Sequence, residues 1–538
     1  MRKVFKIFII CLYFSLAFGL DLSEIEAQPK GTARDFYLFL YLQENKNLTA
    51  ESALKIYHLI DNKIPKIMQF LNGKIPLDAL PKAEQCRAKK LFELQKSDDE
   101  CFNLGLKLDY ANSLQSGDLA RITSPNIKKR IEILRKKSGV LDAILKESGE
   151  EFSAIFNGLS KKVAIFNTAP KNPSDLSNKN FGQTLYNIII SRKFPAFTNA
   201  LLSADISGVN DWSYYALGLN EVKNGTLKKA DIYFEGASKK ASFKLMRDKA
   251  NFWRYKIAES MGDLTKSNEI LMELAKSTSF NLYSLYAVKK TSATPQYHII
   301  DWKNEIFTSA KQNEKLPLDI SNPFVWQEVR AEIVATKDKD ALLNTAKRFY
   351  HNQSTPHLAF VLNRYFGFQK SIFIKPYKDK MEFDDENLVF AVARQESAFI
   401  PAAISRSYAL GMMQIMPANV HNFAKAMGVE NITYESMFDA QTSLKFGNYY
   451  LSHLKKEFSH PLFVSYAYNG GPTFIRAFLK DAKNFSAKNP FEPWMSMEFI
   501  PFEESRFYAF NVMANYIAYR EIEGESVDMD EFFKNATR

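Results

Sequence analysis

The sequence predicts a mainly all-α protein, and three observations carry that prediction. Glycine and proline contribute only 21 and 20 of 538 residues, about 8% against a usual ~12%, so few positions break a helix or build an elaborate turn. In the middle of the chain, aromatic anchors, small residues and turn glycines recur roughly every 30–40 residues, as in helix-turn-helix arrays. Near the C-terminal end of an expected helix, apolar residues at helical spacing share one stripe with a carboxylate, Glu396.

From the N-terminus, Arg2, Lys3 and Lys6 precede an apolar run over 7–18, followed by Ala17 and Gly19 as small residues at cleavage spacing. Residues 1–19 therefore read as a secretory signal, too short in its apolar part to span a membrane. Cys11 lies inside the run with no small residue just before it, which argues against a lipoprotein site. No later stretch reaches about 18 apolar residues, so stable membrane insertion is not expected. Loss of the three leader charges lowers the formal net charge from +11 to +8. Such an excess suits an anionic polymer without specifying one. No dense Lys/Arg block is interleaved with aromatics, so nucleic acid is not an expected partner.

Two cysteines remain, Cys86 and Cys101. In an oxidising compartment a pair in one region can bridge, and a disulfide is favoured over two buried thiols. The 7 histidines form no His-Glu-x-x-His pattern and the cysteines no Cys-x-x-Cys, so neither a metal nor a cofactor is expected. The array follows: Trp212, Tyr215, Ala216 and Gly218, then Ala230 and Ala237, then Phe252, Trp253, Tyr255, Ala258 and Gly262, then Tyr283, Tyr286 and Ala287. Repeats of this kind stack into a curved superhelix with a continuous core.

Glu396 has Leu388 and Val392 at i−8 and i−4 and Phe399 at i+3. An acid on that stripe should have a raised pKa, because desolvation disfavours the anion and the negative end of the helix dipole, just before Pro401, acts the same way. This is the profile of a general acid. A glutamate that merely has apolar neighbours, or pairs with Arg394, fits the helix equally well. Downstream, Gly411 reads as a point of close backbone approach, Gln414 places a donor and an acceptor among apolar residues, and Tyr468 and Asn469 precede a Gly-Gly-Pro turn.

Four strings occur in order: Arg-Gln-Glu-Ser-Ala-Phe at 394–399, the spaced Ser405 with Gly-Met-Met-Gln-Ile-Met-Pro at 411–417, Ala-Tyr-Asn-Gly-Gly-Pro at 467–472, and Glu-x-Ile-Pro-Phe-x-Glu-x-Arg-x-Tyr from 498. Together they resemble the soluble lytic murein transglycosylases. The resemblance implies an N-terminal α-helical superhelix closed into a ring over 20–305, a helical linker domain over 306–382, and a lysozyme-like catalytic domain over 383–538. The linker is placed by mixed Pro- and Lys-containing stretches around Asn313 to Asp319 and Ile374 to Asp379.

The resemblance further implies a periplasmic enzyme that acts on peptidoglycan strands and cuts between N-acetylmuramic acid and N-acetylglucosamine, leaving a 1,6-anhydro end. Glu396 would be its single acid and base. No second carboxylate lies within the Glu396 to Pro417 segment, as a substrate-assisted reaction allows. Carried over by motif, Tyr468 orients or stabilises the substrate's N-acetyl group, Ser405 hydrogen-bonds the sugar near the acid, Gln414 and Met416 line the cleft, and Asn469 bonds substrate. Glu498 faces substrate or supports the site, with Gly411 and Arg506 as structural residues near it. The bland counterparts are turn chemistry for Ser405 and Asn469, core packing for Met416 and Tyr468, and a surface ion pair for Glu498 and Arg506. The sequence departs from the family at Phe399, where Trp is common, at Ile400, at Tyr408, where Gly is usual, at Gly470 and at Thr473. A lysozyme-type hydrolase and a non-catalytic glycan-binding scaffold are the alternatives, and protein regulators are unspecified.

Overall fold

The computed structural model describes residues 21–177, 179–308, 316, 318–367 and 370–538. The expected signal segment 1–19 and Asn313 lie outside them. Helices dominate, and the buried apolar side chains form one cluster running from Ile25 to Ala536.

The array is a run of helices in which each packs on the next: Asp211–Lys223, Leu227–Lys240, Lys244–Ser260, Leu264–Ala275 and Leu282–Thr291. Its sequence signals have local causes. Gly218 allows close approach, since a Cβ there would meet the Phe234 ring at 2.7 Å. Phe234 stacks on Trp253 with centroids 5.8 Å apart. Gly262 adopts φ +75° at a helix end, a conformation glycine reaches without a Cβ clash, and Asp263 then caps the next helix through Lys266 N. Further upstream, Cys86 and Cys101 form a disulfide joining the helices Lys82–Ala88 and Asp99–Gly105.

The segment expected to be a helical linker contains the helices Pro323–Ala335, Lys339–Lys347 and Thr355–Tyr365, together with the strand Lys370–Phe373. That strand pairs in parallel with His298–Asp301, with His298 opposite Lys370 and Asp301 opposite Phe373. A four-residue strand whose partner lies some seventy positions away leaves no local period to read.

In the C-terminal part, the helix Glu386–Ser397 and the helix Pro461–Gly470 both pack against a long central helix, Glu503–Ile522. Lys375, with a fully buried side chain, binds the start of the first and the end of the last: it pairs with Glu386 at 2.6 Å and with Glu523, and donates to Asn387 Oδ1 at 2.8 Å. Among the described residues no helix is long and apolar enough to cross a membrane.

Candidate active site

The helix Glu386–Ser397 starts at Asp385, whose side chain accepts from Leu388 N at 3.1 Å, and buries residues 387–393. It ends sooner than the apolar stripe implied. Ala398 and Phe399 take φ values of +51° and +67°, a left-handed pair without glycine that costs on the order of 1–3 kcal/mol per residue. Phe399 therefore does not continue the stripe above Glu396. It turns into the core, 6.4 Å from Phe390 between centroids.

The turn leaves Glu396 in the last helical turn, half-buried. Burial pushes its carboxyl up to about 8; the charge of Glu504 adds to the rise, and a hydrogen bond from Tyr508 opposes it. That bond runs from Tyr508 Oη to Glu396 Oε1 at 2.8 Å. Arg394 does not pair with Glu396: it donates to Ile372 O and Asn515 Oδ1 and lies against the Phe373 ring.

Next comes an irregular hairpin in which Leu410 bridges both Ile404 and Ile415. Gly411 sits at φ +74°, and a Cβ there would stand 1.9 Å from Met437 O, so only glycine fits. The hairpin delivers two carbonyls to the site. Met412 O accepts from Ser397 Oγ at 2.7 Å and Met413 O accepts from Tyr468 Oη at 2.7 Å. Tyr468 stacks obliquely on Tyr450 at 5.2 Å, and the charge of Glu396 helps hold its phenol well above the ordinary range, after burial itself.

The remaining expected site residues divide. Gln414, at φ +50°, spends its amide nitrogen on Gly411 O at 2.8 Å and Ala403 O at 3.3 Å, while keeping partial exposure beside Met416. Ser405 Oγ accepts from Ala409 N at 2.9 Å, which is turn chemistry. Asn469 bridges to the central helix, accepting from Ser505 Oγ at 2.6 Å and donating to Glu504 at 3.5 Å. Asn469, Phe502, Glu504 and Ser505 line an open groove of about 470 Å³.

Glu498 and Arg506 require a correction. Glu498 is only 5% exposed and faces the superhelix rather than the open groove beside Asn469 and Ser505. It pairs with buried Lys249 at 2.8 Å and accepts from Tyr186 and Tyr215 at 2.9 Å and from Tyr283 at 3.3 Å. Arg506 does not form its ion pair; it donates to Ile500 O at 2.6 Å and packs over Tyr186. The physical reason is desolvation: a buried carboxylate needs several donors at once, and the superhelix supplies four. Sequence reasoning also missed Tyr508 as a partner of the acid, although it closes the fourth string, four residues after Glu504 on one helical face. Among the described residues no group of three or more His, Cys, Asp and Glu side chains could hold a metal.

The chain is similar to known proteins. Residues 374–491 match the Transglycosylase SLT domain family. The chain is similar to the soluble lytic murein transglycosylase of Escherichia coli, 25% identical over 299 residues that cover 52% of this chain and 44% of that protein. It is likewise similar to the soluble lytic murein transglycosylase of Salmonella typhimurium, 32% identical over 142 residues, 26% of this chain and 21% of that one. The aligned part thus spans less than half the length of these curated relatives. In three dimensions it is similar to the crystal structure of the 70 kDa soluble lytic transglycosylase of Escherichia coli, with a TM-score of 0.51 and 15% identity, over 96% of this chain and 84% of that one. The shared architecture is an α-superhelix with a lysozyme-like domain.

Proposed function

With residues 374–491 as a transglycosylase SLT domain, we propose that the chain is a peptidoglycan lytic transglycosylase acting in the periplasm after export. It cleaves the β-1,4 bond between N-acetylmuramic acid and N-acetylglucosamine and leaves a 1,6-anhydro-N-acetylmuramic acid end. The observation that carries the reading is Glu396: a half-buried carboxyl held near neutrality by its surroundings and oriented by one phenol.

The chemistry follows from that acid. Near pH 7 the carboxyl is protonated, since burial has raised it to about 8. Tyr508 donates to Oε1, which leaves Oε2 to carry the proton toward the glycosidic oxygen. As the C1–O4 bond breaks, that proton goes to O4 of the leaving sugar and Glu396 becomes a carboxylate, now stabilised by the Tyr508 hydrogen bond. The carboxylate then takes the proton from the muramyl 6-hydroxyl while O6 bonds to C1. No water is consumed and the acid returns to its starting state. The substrate's N-acetyl group shares the transient positive charge. Tyr468 supports it because its hydroxyl proton is already given to Met413 O, which leaves oxygen lone pairs for the cationic sugar. Gln414 and Met416, both partly exposed, line the cleft; Ser405 and Asn469 shape its edges through the turn and helix contacts described above.

In this reading residues 20–305 are a superhelix that holds the glycan strand, 306–382 a linker, and 383–538 the catalytic domain, with 1–19 as the export signal. A lysozyme-type hydrolase has one observation in its favour, the second carboxylate Glu504, close enough for its charge to be felt at Glu396. Digestion of purified sacculi followed by mass spectrometry of the muropeptides separates the two. Anhydro-muramyl ends that disappear with Glu396→Gln support the proposal; reducing ends from the wild-type chain, or full activity in E396Q, end it.

A further inference from the structure

Tyr408 belongs to the turn before the site hairpin, yet its contacts are with the other end of the chain. Its backbone adopts φ +65°, a conformation bulky side chains avoid. Its ring is 1% exposed and lies 5.1 Å from Phe39 and 6.1 Å from Phe36, both on the helix Thr32–Glu44. Lys66 closes the pocket. Its Nζ donates to Ser407 O at 2.9 Å and stands 5.2 Å and 5.6 Å from the Phe39 and Tyr408 rings. The Tyr408 hydroxyl is buried and makes no hydrogen bond, so the ring and not the phenol holds the contact.

From Tyr408 the hydrogen bonds lead to the acid. Tyr408 N donates to Ser405 O at 2.9 Å and Ser405 N to Ala409 O at 3.0 Å, which fixes the turn. Gly411 N donates to Ala403 O at 2.8 Å and Leu410 and Ile415 exchange two bonds of 2.9 Å. The same hairpin presents Met412 O to Ser397, the neighbour of Glu396, and Met413 O to Tyr468. A shift of the turn therefore moves the two carbonyls that set the acid and its tyrosine.

We propose that Tyr408 is a positioning residue through which the N-terminal superhelix holds the 404–415 hairpin, and with it Glu396 and Tyr468, in working geometry. The role in turnover rests on the transglycosylase reading, whereas the clamp itself does not. The test uses the full chain with three substitutions. Tyr408→Gly relieves the left-handed backbone and removes the ring, Tyr408→Phe keeps the ring alone, and Phe39→Ala removes the receiving surface from the superhelix side.

Hydrogen exchange of the Leu410, Gly411 and Ile415 amides and steady-state kinetics on purified sacculi are read well below each variant's melting temperature. Y408G and F39A are expected to exchange these amides at least ~10-fold faster and to lose ~10–100-fold in kcat, the scale of a misplaced reacting group. The alkaline limb of the kcat profile should also move to lower pH as water reaches Glu396. Y408F should stay within about twofold of wild type. Unchanged exchange in Y408G and F39A overturns the clamp, and so does a Y408F defect as large as that of Y408G. Faster exchange with kcat and its pH profile unchanged refutes the positioning role. If the wild-type chain fails to cut sacculi, the functional reading falls while the exchange data still decide the clamp.

Discussion

Tyr508→Phe separates the two halves of the proposed Glu396 cycle. The substitution removes one hydroxyl from a buried side chain and leaves its ring in place, so the fold should persist. What is lost is the 2.8 Å hydrogen bond to Glu396 Oε1. A hydrogen bond to a charged group contributes roughly 1.5–3 kcal/mol, and this one favours the carboxylate, lowering a pKa that burial raises. In the proposed cycle the carboxylate is the species formed when the glycosidic bond breaks, so its loss of support raises the barrier and kcat at pH 7 should fall roughly 10–150-fold. The sign on the pH axis is opposite. In the proposed reaction the acid must be protonated to act, so activity should decline as pH rises through about 8. Without the donor the anion is less favoured, and that decline should move to higher pH. The assay is kcat on soluble glycan strands between about pH 5 and 10, scored by release of anhydro ends. A rate loss with the alkaline limb unmoved or shifted to lower pH would refute the assignment of Tyr508 as the carboxylate's donor.

Glu396→Gln should stabilise the protein, and more so at high pH. The folded state raises this acid from 4.5 to about 8, so between those values the native protein holds a proton that the unfolded chain does not, and stability falls as pH rises. At about 1.4 kcal/mol per pH unit the upper bound is about 5 kcal/mol, reduced by the solvent contact the carboxyl keeps. Urea unfolding at pH 5 and pH 8.5 checks it; an E396Q gain that is no larger at pH 8.5 contradicts the buried acid. Lys249→Met strips the cation from Glu498 and should cost roughly 3–5 kcal/mol, with part of it recovered by adding Glu498→Gln. A loss under about 1 kcal/mol in denaturation would mean that the three tyrosine hydroxyls suffice. Glu504→Gln removes a charge that raises Glu396, so its alkaline limb should move to lower pH with kcat at pH 6 within about tenfold of wild type. Loss of turnover by ~1,000-fold there would instead make Glu504 an obligatory second carboxylate.

The fold class and the buried setting of Glu396 were legible because both rest on local pattern. Val392 and Leu388, one and two turns before Glu396, are placed on its face by helical spacing alone, which raises the expectation of a desolvated carboxyl while leaving a glutamate with merely apolar neighbours open. The helix end was not legible. Nothing in Ser-Ala-Phe announces two consecutive left-handed residues, and the turn carries Phe399 into the core beside Phe390. Glu498 was misread because an acid in a motif looks the same whether it meets a sugar or a lysine. Its partner Lys249 stands in the superhelix, far off in sequence, and only the fold shows that four donors converge there. Tyr508 fell between the two cases. Its helical face is readable from Glu504 one turn earlier, yet the identity of what it touches depends on how two helices cross.

That crossing is fixed at one end by a buried charge and at the other by a hydrogen bond. The helix Glu386–Ser397 and the central helix Glu503–Ile522 run antiparallel, since Lys375 joins Glu386 to Glu523 just past the far end of the central helix while Tyr508 meets Glu396 near its start. Ten residues separate Glu386 from Glu396, about 15 Å of helix, and Arg394 is tied to Asn515 between the two anchors. A slide of either helix by one residue, about 1.5 Å, would break the Tyr508 bond and unseat Lys375 together. On the outer side, the segment leading into the central helix is held by Glu498 on Lys249 and by Gln183 on Glu503 at 2.8 Å, both contributed by the superhelix. The superhelix therefore bears on the helix that carries the acid's donor, and substitutions at Lys249 should change turnover in the folded protein as well as its stability.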